Sequence, residues 1–373
     1  MVIDVFLCPY CFNKFDIDDA EYHCNRCDED VKPRYDRKSK RMTCSSCGEP
    51  VYKRICPKCG SDLPRGIEES GDTIIAVVGP KGVGKSQFIT VLISELKNSF
   101  SVEFEASLSF ATEKTQTKYN LNCDYLYGRH EVVPETNSIT GGNDDVKEPY
   151  ILYLKKRSNK KLFGGSTKCV TLVFYDTAGE DLNDTENIMD TKIGKYLGNA
   201  TGIIYLVDPL QIPYIRSRCD ANNPPPMEGK NEASIVLDRI CEAIRESKRM
   251  SISQPITTKL AVVLTKSDLL KKSNNIDIRI DESSAIRIER KRGQVDLENL
   301  DMVSDEIREY LNRTQNASFT NQVTANYKQY EYFMVSSLGH DPLNGSLNGN
   351  PSSERILDPI IWLLHATGSG IVK

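Results

Sequence analysis

Thr73-Ile-Ile-Ala-Val-Val-Gly-Pro-Lys-Gly-Val-Gly-Lys-Ser86 is the stretch on which the fold turns. Thr73 to Val78 is a short apolar run rich in β-branched residues, which reads as a buried strand. Gly79 to Ser86 fits the pattern G-x-x-x-x-G-K-[ST] at every fixed position. Phe88, Leu92 and Leu96 then mark the apolar face of a helix. Strand, glycine-rich loop and helix in this order form a cradle for phosphate groups. Glycines let backbone N–H groups wrap the oxygens at a helix N-terminus that already favours anions. Lys85 is expected at the β- and γ-phosphates, and Ser86 as a Mg²⁺ ligand. Gly79, Lys81, Gly82, Gly84 and Gln87 complete the expected contacts.

Three later segments repeat the theme of chemistry at a strand end. Cys169 to Tyr175 reads as a strand and runs into Asp176-Thr-Ala-Gly-Glu180. There Asp176 is expected to hold Mg²⁺, and the Gly179 N–H to face the γ-phosphate. Lys259 to Leu264 runs into Thr265-Lys-Ser-Asp268. The Asp268 carboxylate can accept from guanine N1–H and N2–H₂, both lacking on that edge of adenine, while the stem of Lys266 covers the base. Tyr332 to Val335 runs into Ser336-Ser-Leu-Gly339, which is suited to present an N–H to guanine O6 from Ser336, Ser337 or Leu338. Each motif alone is weak. All four in order, each after a strand, indicate a nucleotide site at the carboxyl edge of an open α/β sheet.

This constellation resembles the P-loop NTPases of the Ras-like, translation-factor-related GTPase class. The resemblance covers Asp72 to about Thr367. With the phrases Phe174-Tyr-Asp-Thr-Ala-Gly-Glu-Asp181 and Asp358-Pro-Ile-Ile-Trp-Leu-Leu364, the chain looks like the bacterial double-GTPase-type, TRAFAC-clade proteins. It implies a mixed, mostly parallel sheet flanked by helices, and work in conflict or signalling systems beside other GTPases or effectors. It also implies a first-switch threonine that caps Mg²⁺ just before an antiparallel edge strand. Pro149 to Arg157 is that expected edge strand, so Thr136 is preferred over Thr140, Thr112, Thr115 and Thr117. Glu180 stands where efficient relatives carry a glutamine that orients water. Lys81 lies where many relatives have a small residue; it either reaches the γ-phosphate or points to solvent.

Eight of the twelve cysteines precede residue 60, in four C-x-x-C pairs: Cys8/Cys11, Cys24/Cys27, Cys44/Cys47 and Cys56/Cys59. Each hairpin aims two thiolates at one point, and two hairpins complete a tetrahedral zinc site. Two Zn²⁺ are therefore expected. Sequential pairing is the simplest scheme, with an interleaved cross-brace also open. Gly48 and Gly60 follow the second cysteine of their pairs, as zinc-ribbon knuckles favour. A redox motif would be a single pair near a βαβ pattern. His23 reads as a surface residue. The basic run Lys32, Arg34, Arg37, Lys38, Lys40 and Arg41 offers phosphate contacts, but it holds a single aromatic, Tyr35, and the thiolates outweigh the metal charge. Nucleic acid is therefore a disfavoured partner.

The whole chain of 373 residues carries 48 basic and 52 acidic side chains, so no overall field draws it to nucleic acid or acidic membranes. Apolar runs are far shorter than the ~20 residues of a membrane span. The first residues lack a basic region ahead of their apolar ones, so no secretory signal is expected, and the reading is cytoplasmic. Expected organisation is tandem ribbons over 1–65, a linker over 66–71 and the nucleotide domain over 72–373. Insertions are expected near 101–130, 211–232 and 270–298. Within the first of them, Ser101 to Leu108 is expected as an extra edge strand and Ala111 to Tyr127 as a helix. Such long connections suit a partner surface or mobility. No repeat is seen, so one GTPase copy is expected. The leading reading is a Mg²⁺-dependent GTPase that is slow without a protein partner or self-association. Its rivals are a catalytically weak GTP-binding scaffold or sensor, and an RNA- or translation-associated factor.

Overall fold

The computed structural model describes residues 5–16, 19–36, 41–65, 71–80, 82–134, 149–157, 167–175, 192–222, 224, 227, 232–314 and 316–373. Seven strands form the main sheet: β1 (Gly71–Val78), β2 (Ala106–Phe110), β3 (Tyr150–Arg157), β4 (Thr167–Phe174), β5 (Gly202–Val207), β6 (Lys259–Leu264) and β7 (Tyr330–Met334). Their order is β7-β6-β5-β1-β4-β3-β2. The pairs β1/β4, β1/β5, β5/β6 and β6/β7 are parallel. Only β3 runs against its neighbours β4 and β2.

Alternate residues of the central strands feed two apolar layers. Ala76, Val78, Ile203 and Tyr205 face α3 (Lys192–Asn199), α4 (Ala233–Lys248) and most of α5 (Leu297–Arg313) and α6 (Ala317–Asn326). Ile75, Val77, Ile204 and Leu206 face α1 (Lys85–Glu95), α2 (Glu113–Cys123) and α7 (Asp358–Ala366). Every residue of β5 is buried, as a parallel strand covered on both faces must be. The result is a three-layer α/β/α sandwich. Among the described residues no helix is long and apolar enough to cross a membrane.

The first insertion departs from expectation. Its strand begins at Ala106, not Ser101, because the α1 helix continues as helical turns to Glu103. Glu105, at φ 51°, ends that run. Val102, within the expected strand, lies instead on the helical run and is 84% exposed. The strand is real and lies outside β3, so Tyr150–Arg157 is the second strand from the edge, not the edge itself. The helix expected over Ala111 to Tyr127 forms as α2, capped by the Thr112 hydroxyl accepting from the Thr115 N–H.

The insertion at 270–298 is pinned to the body. Ile278, Ile280 and Ile286 are buried in the core. The Arg290 guanidinium bridges two carboxylates, Glu103 and Asp358, the latter at 3.1 Å. Arg355 holds the other Asp358 oxygen at 2.7 Å. These contacts tie the insertion to the end of the α1 run and to the start of α7.

Ahead of residue 66 the chain makes short hairpins. Val5–Leu7 pairs with Lys14–Asp16, and Pro33–Asp36 with Arg41–Cys44. Glu21–Cys24 is flanked by Glu29–Val31 and Lys53–Ile55. The apolar interior is thin: Phe15, Ala20 and Leu63 around one cysteine group, Tyr22, Val31 and Val51 around the other. Leu7 and Phe12 instead join the core of the main sheet.

Candidate functional site

Because β1, β5, β6 and β7 are parallel, the loops after them emerge at one edge of the sheet. After β1 comes the Gly79–Ser86 loop. A Cβ on Gly79 would lie 2.7 Å from the Leu206 carbonyl, so only glycine lets the loop pass this close to β5. Gly82 and Gly84 have φ 76° and 91°, in the left-handed region. Lys85 is the first residue of α1 and is 7% exposed. Its Nζ donates to the carbonyls of Gly79 at 2.8 Å and Pro80 at 3.0 Å, which aims the ammonium into the loop. Ser86 is buried beside it. Gln87 Nε2 donates to the Val133 carbonyl at 3.1 Å and ties α1 to the chain leading toward Thr136.

After β6, Thr265 is buried and its N–H bonds the Val207 carbonyl at 3.0 Å. Lys266 sits at φ 55°, an unusual left-handed backbone for a lysine. Asp268 is 5% exposed, and its Oδ1 accepts from the Ser336 hydroxyl at 2.6 Å. The same Ser336 oxygen accepts from the Gly339 N–H at 2.8 Å. Ser336 thus joins the segment after β6 to the segment after β7. Ser337 and Leu338 are half-buried between these anchors. Gly339 has φ 80°, and a Cβ there would meet the Ser352 carbonyl at 2.5 Å. Lys81, Thr136, Asp176, Gly179 and Glu180 lie outside the described residues.

One residue of this edge is not among those expected from the sequence. Asp208 comes after β5, is 1% exposed, and its Oδ2 receives the Lys266 ammonium at 2.6 Å. Its Oδ1 accepts from the Leu210 N–H at 2.9 Å. An acid directly after the apolar run Ile203 to Val207, at the same strand end as the other motifs, was the available signal.

The eight early cysteines gather into two groups, each with its sulfurs within 4.8 Å of one another. The grouping is nested: Cys8, Cys11, Cys56 and Cys59 form the outer group, Cys24, Cys27, Cys44 and Cys47 the inner one. This corrects the sequential pairing, and it is not the cross-brace either. The cause is the return of Lys53–Ile55 alongside Glu21–Cys24, which brings the last hairpin back to the first. Sulfur separations are 3.8 Å for Cys8–Cys59, 3.9 Å for Cys11–Cys56, 3.5 Å for Cys24–Cys47 and 3.9 Å for Cys27–Cys44. A tetrahedron with zinc–sulfur bonds of ~2.3 Å has edges of about 3.8 Å, so both groups could hold Zn²⁺. Backbone N–H groups of Tyr10, Ser46 and Lys58 point at Cys8, Cys44 and Cys56 sulfurs, each at 3.4 Å. The Cys47 N–H pulls the Cys44 thiol down to about 6, whereas burial pushes Cys56 up to about 11. Crowded thiols cannot all ionise without a cation among them. His23 stands apart from both groups and pairs with Asp30 at 2.9 Å. None of the twelve cysteines is in a disulfide.

Residues 73–334 match the family described as Double-GTPase 2. The chain belongs to that family. The match begins within β1 and closes with β7, so it contains every strand of the main sheet and all the strand-end segments up to the last one. The chain is also similar to a protein of Mycolicibacterium smegmatis that carries the name "Putative ESX-1 scaffolding and assembly protein SaeC". The two are 27% identical over 327 residues, which is 84% of this chain and 80% of the relative. This Double-GTPase 2 chain therefore joins a GTPase-type sheet to an amino-terminal cysteine module with two metal-competent groups.

Proposed function

We propose that this protein is a guanine-nucleotide switch that hydrolyses GTP slowly and acts through protein partners in the cytoplasm. The observation that carries the reading is the convergence of the Lys85 loop with the Asp268–Ser336 pair at one sheet edge. In this reading Asp268 accepts from guanine N1–H and N2–H₂, and Ser336 fixes which way its carboxylate faces. The stem of Lys266 covers the base while Asp208 holds its ammonium. Backbone N–H groups of the Gly79–Ser86 loop and the Lys85 ammonium hold the phosphates. Ser86, Thr136 and Asp176 would hold Mg²⁺, which when bound neutralises charge on the β- and γ-oxygens. Gly179 would reach the γ-phosphate through its N–H, and Glu180 would stand beside the attacking water. A carboxylate there repels the γ-phosphate, which is consistent with slow intrinsic turnover. The two cysteine groups hold one structural Zn²⁺ each.

The name of the SaeC relative favours a second reading, in which bound nucleotide orders an assembly platform with negligible turnover. Both readings need guanine specificity. Competition of GTP and ATP against a fluorescent guanine nucleotide tests it. GTP is expected to win by about 10⁴ or more, because adenine leaves the buried carboxylate unpaired. Asp268→Asn is expected to weaken GTP and gain xanthosine triphosphate. Equal ATP and GTP affinity would defeat both readings. Single-turnover hydrolysis with and without Mg²⁺ then separates switch from platform.

A further inference from the structure

The four C-x-x-C knuckles share a backbone requirement. The residue after the second cysteine is left-handed in each: Phe12 at φ 56°, Asp28 at 54°, Gly48 at 75° and Gly60 at 71°. Glycine accepts this conformation without strain, and a bulky aromatic is the poorest choice for it, at a cost of about 1 kcal/mol or more. Only the first knuckle places a large ring there. Phe12 is 2% exposed, and what buries it is the main sheet, not the cysteine module. Its ring lies 6.2 Å from Tyr175 at 88° and 5.1 Å from Tyr196 at 37°. Tyr175 and Tyr196 meet each other at 5.5 Å. The Phe12 carbonyl also accepts from Asn199 Nδ2 at 3.2 Å, so backbone and ring are both held by α3.

Tyr196 occupies a special place. The parallel ladder between β1 and β4 stops at Ile74 and Val173. Beyond that point the Tyr196 hydroxyl stands between the strands. It donates to the Ile75 carbonyl at 2.9 Å, with the Val173 carbonyl at 3.4 Å, and accepts from the N–H groups of Tyr175 at 2.9 Å and Val77 at 3.3 Å. One side chain thus sets the spacing between the strand that feeds the Gly79–Ser86 loop and the strand that feeds Asp176.

We propose that the outer cysteine group is a positioning device for the spacing of β1 and β4, and through β1 for the Gly79–Ser86 loop, acting through Phe12, Tyr196 and Tyr175. Metal at Cys8, Cys11, Cys56 and Cys59 fixes the knuckle, the knuckle fixes the Phe12 ring, and the ring holds the two tyrosines that space β1 and β4. The outer site and the γ-phosphate site are then energetically linked, and linkage is reciprocal: nucleotide state must alter how tightly the outer metal is held. The inner group packs on its own small cluster of Tyr22, Val31 and Val51, so it serves as an internal control. This inference rests on the guanine-nucleotide reading of the site.

The test loads the full chain with Zn²⁺ and follows chelator-driven release with a chromogenic chelator. Release is compared without nucleotide, with GDP and with a non-hydrolysable GTP analogue, and binding of a fluorescent guanine nucleotide is measured on the same preparation. Two phases are expected, with the outer one identified by its loss in Cys8→Ser. The outer phase should differ by about fivefold or more between the GDP and GTP-analogue states, and the inner phase should not. Phe12→Gly relieves the backbone strain and leaves the knuckle intact, so both ions stay bound while the nucleotide dependence disappears. Tyr196→Phe keeps the ring contact, removes the hydroxyl between the strands and should lose the same dependence. Nucleotide binding with release rates indifferent to nucleotide state would overturn this inference alone, as would a dependence that survives in Phe12→Gly. No guanine-nucleotide binding at all would overturn the inference and the proposed function together.

Discussion

Replacing Asp208 with asparagine isolates one contact of the base site. Asp208 is 1% exposed, and its two oxygens have separate tasks: Oδ2 receives the Lys266 ammonium at 2.6 Å and Oδ1 accepts from the Leu210 N–H at 2.9 Å. Asparagine keeps an acceptor for Leu210 and loses only the charge facing Lys266. A hydrogen bond to a charged group contributes about 1.5–3 kcal/mol, against roughly 0.5–1.5 for a neutral one. The difference of about 1–1.5 kcal/mol is the expected loss in holding Lys266 over the base, or close to tenfold in nucleotide affinity. Titration with a fluorescent GDP should read that loss, with the preference for guanine over adenine retained because Asp268 and Ser336 are untouched. Thermal stability should change little, since the Lys266 side chain is 29% exposed and its ammonium keeps access to water when the partner charge is lost. Unchanged GDP affinity with a lower Tm would refute the argument and make Asp208 a purely structural acid.

Arg290→Met should destabilise the fold by about 3–5 kcal/mol in urea at pH 7, because it strands the Glu103 carboxylate beside an apolar side chain and leaves Asp358 to Arg355 alone. Burial works against the Glu103 carboxylate, yet its hydrogen bonds to Arg290 and the Gly293 N–H hold it below its usual range. Its stabilising contribution is therefore present above the unfolded value near 4.5 and is lost as pH falls through the lower folded value. In Arg290→Met burial dominates instead, so the gap between variant and parent should narrow from pH 7 to pH 5; a gap that stays constant would count against the pairing. Elemental analysis of protein purified under reducing conditions should return two zinc per chain, and one for the double variant Cys8→Ser/Cys59→Ser, whose two losses fall in a single site only when the grouping is nested; none in that variant would contradict the nested grouping. Intrinsic GTP turnover should be slow and rise by about 10³–10⁵ with a partner that supplies an arginine. A fast rate that is independent of concentration and lost in Lys81→Gly would instead make Lys81 an internal finger.

The strand-end segments were legible because buried parallel strands write themselves as unbroken apolar runs. Ile74 to Val78 and Leu260 to Leu264 are such runs, and the loop after each must lie at the same edge. The Asp268–Ser336 contact arises from two motifs that end adjacent strands. The nested cysteine grouping was not legible, since four hairpins of identical spacing carry no information on which meets which. That choice is made by the path of Lys53–Ile55. The start of β2 is misleading in the sequence because Val102 and Phe104 alternate with Ala106 and Leu108 by coincidence, while the α1 helical frame still governs Val102. Asp208 and Tyr196 escape a sequence reading for a common reason. One caps a strand and the other separates two, and both tasks exist only once the sheet is assembled.

The nested grouping also fixes an order of events during synthesis. The inner four cysteines are complete when Cys47 leaves the ribosome, and the outer four only when Cys59 does. Cys27 and Cys44 are separated by 17 positions, Cys11 and Cys56 by 45. Closing the longer loop unaided costs about 0.9 kcal/mol more, an excess that vanishes if the inner clip has already shortened it. Phe12, made well ahead of Tyr175 and Tyr196, then waits for both. At ~5–20 residues per second the interval from Cys59 to Tyr196 is roughly 7–27 s. Throughout it, on the zinc reading proposed above, the metal-closed knuckle is what orients the ring. On the same reading, a cell short of zinc would fail this chain before the sheet exists, and the defect would register as lost nascent chain ahead of lost activity of finished protein.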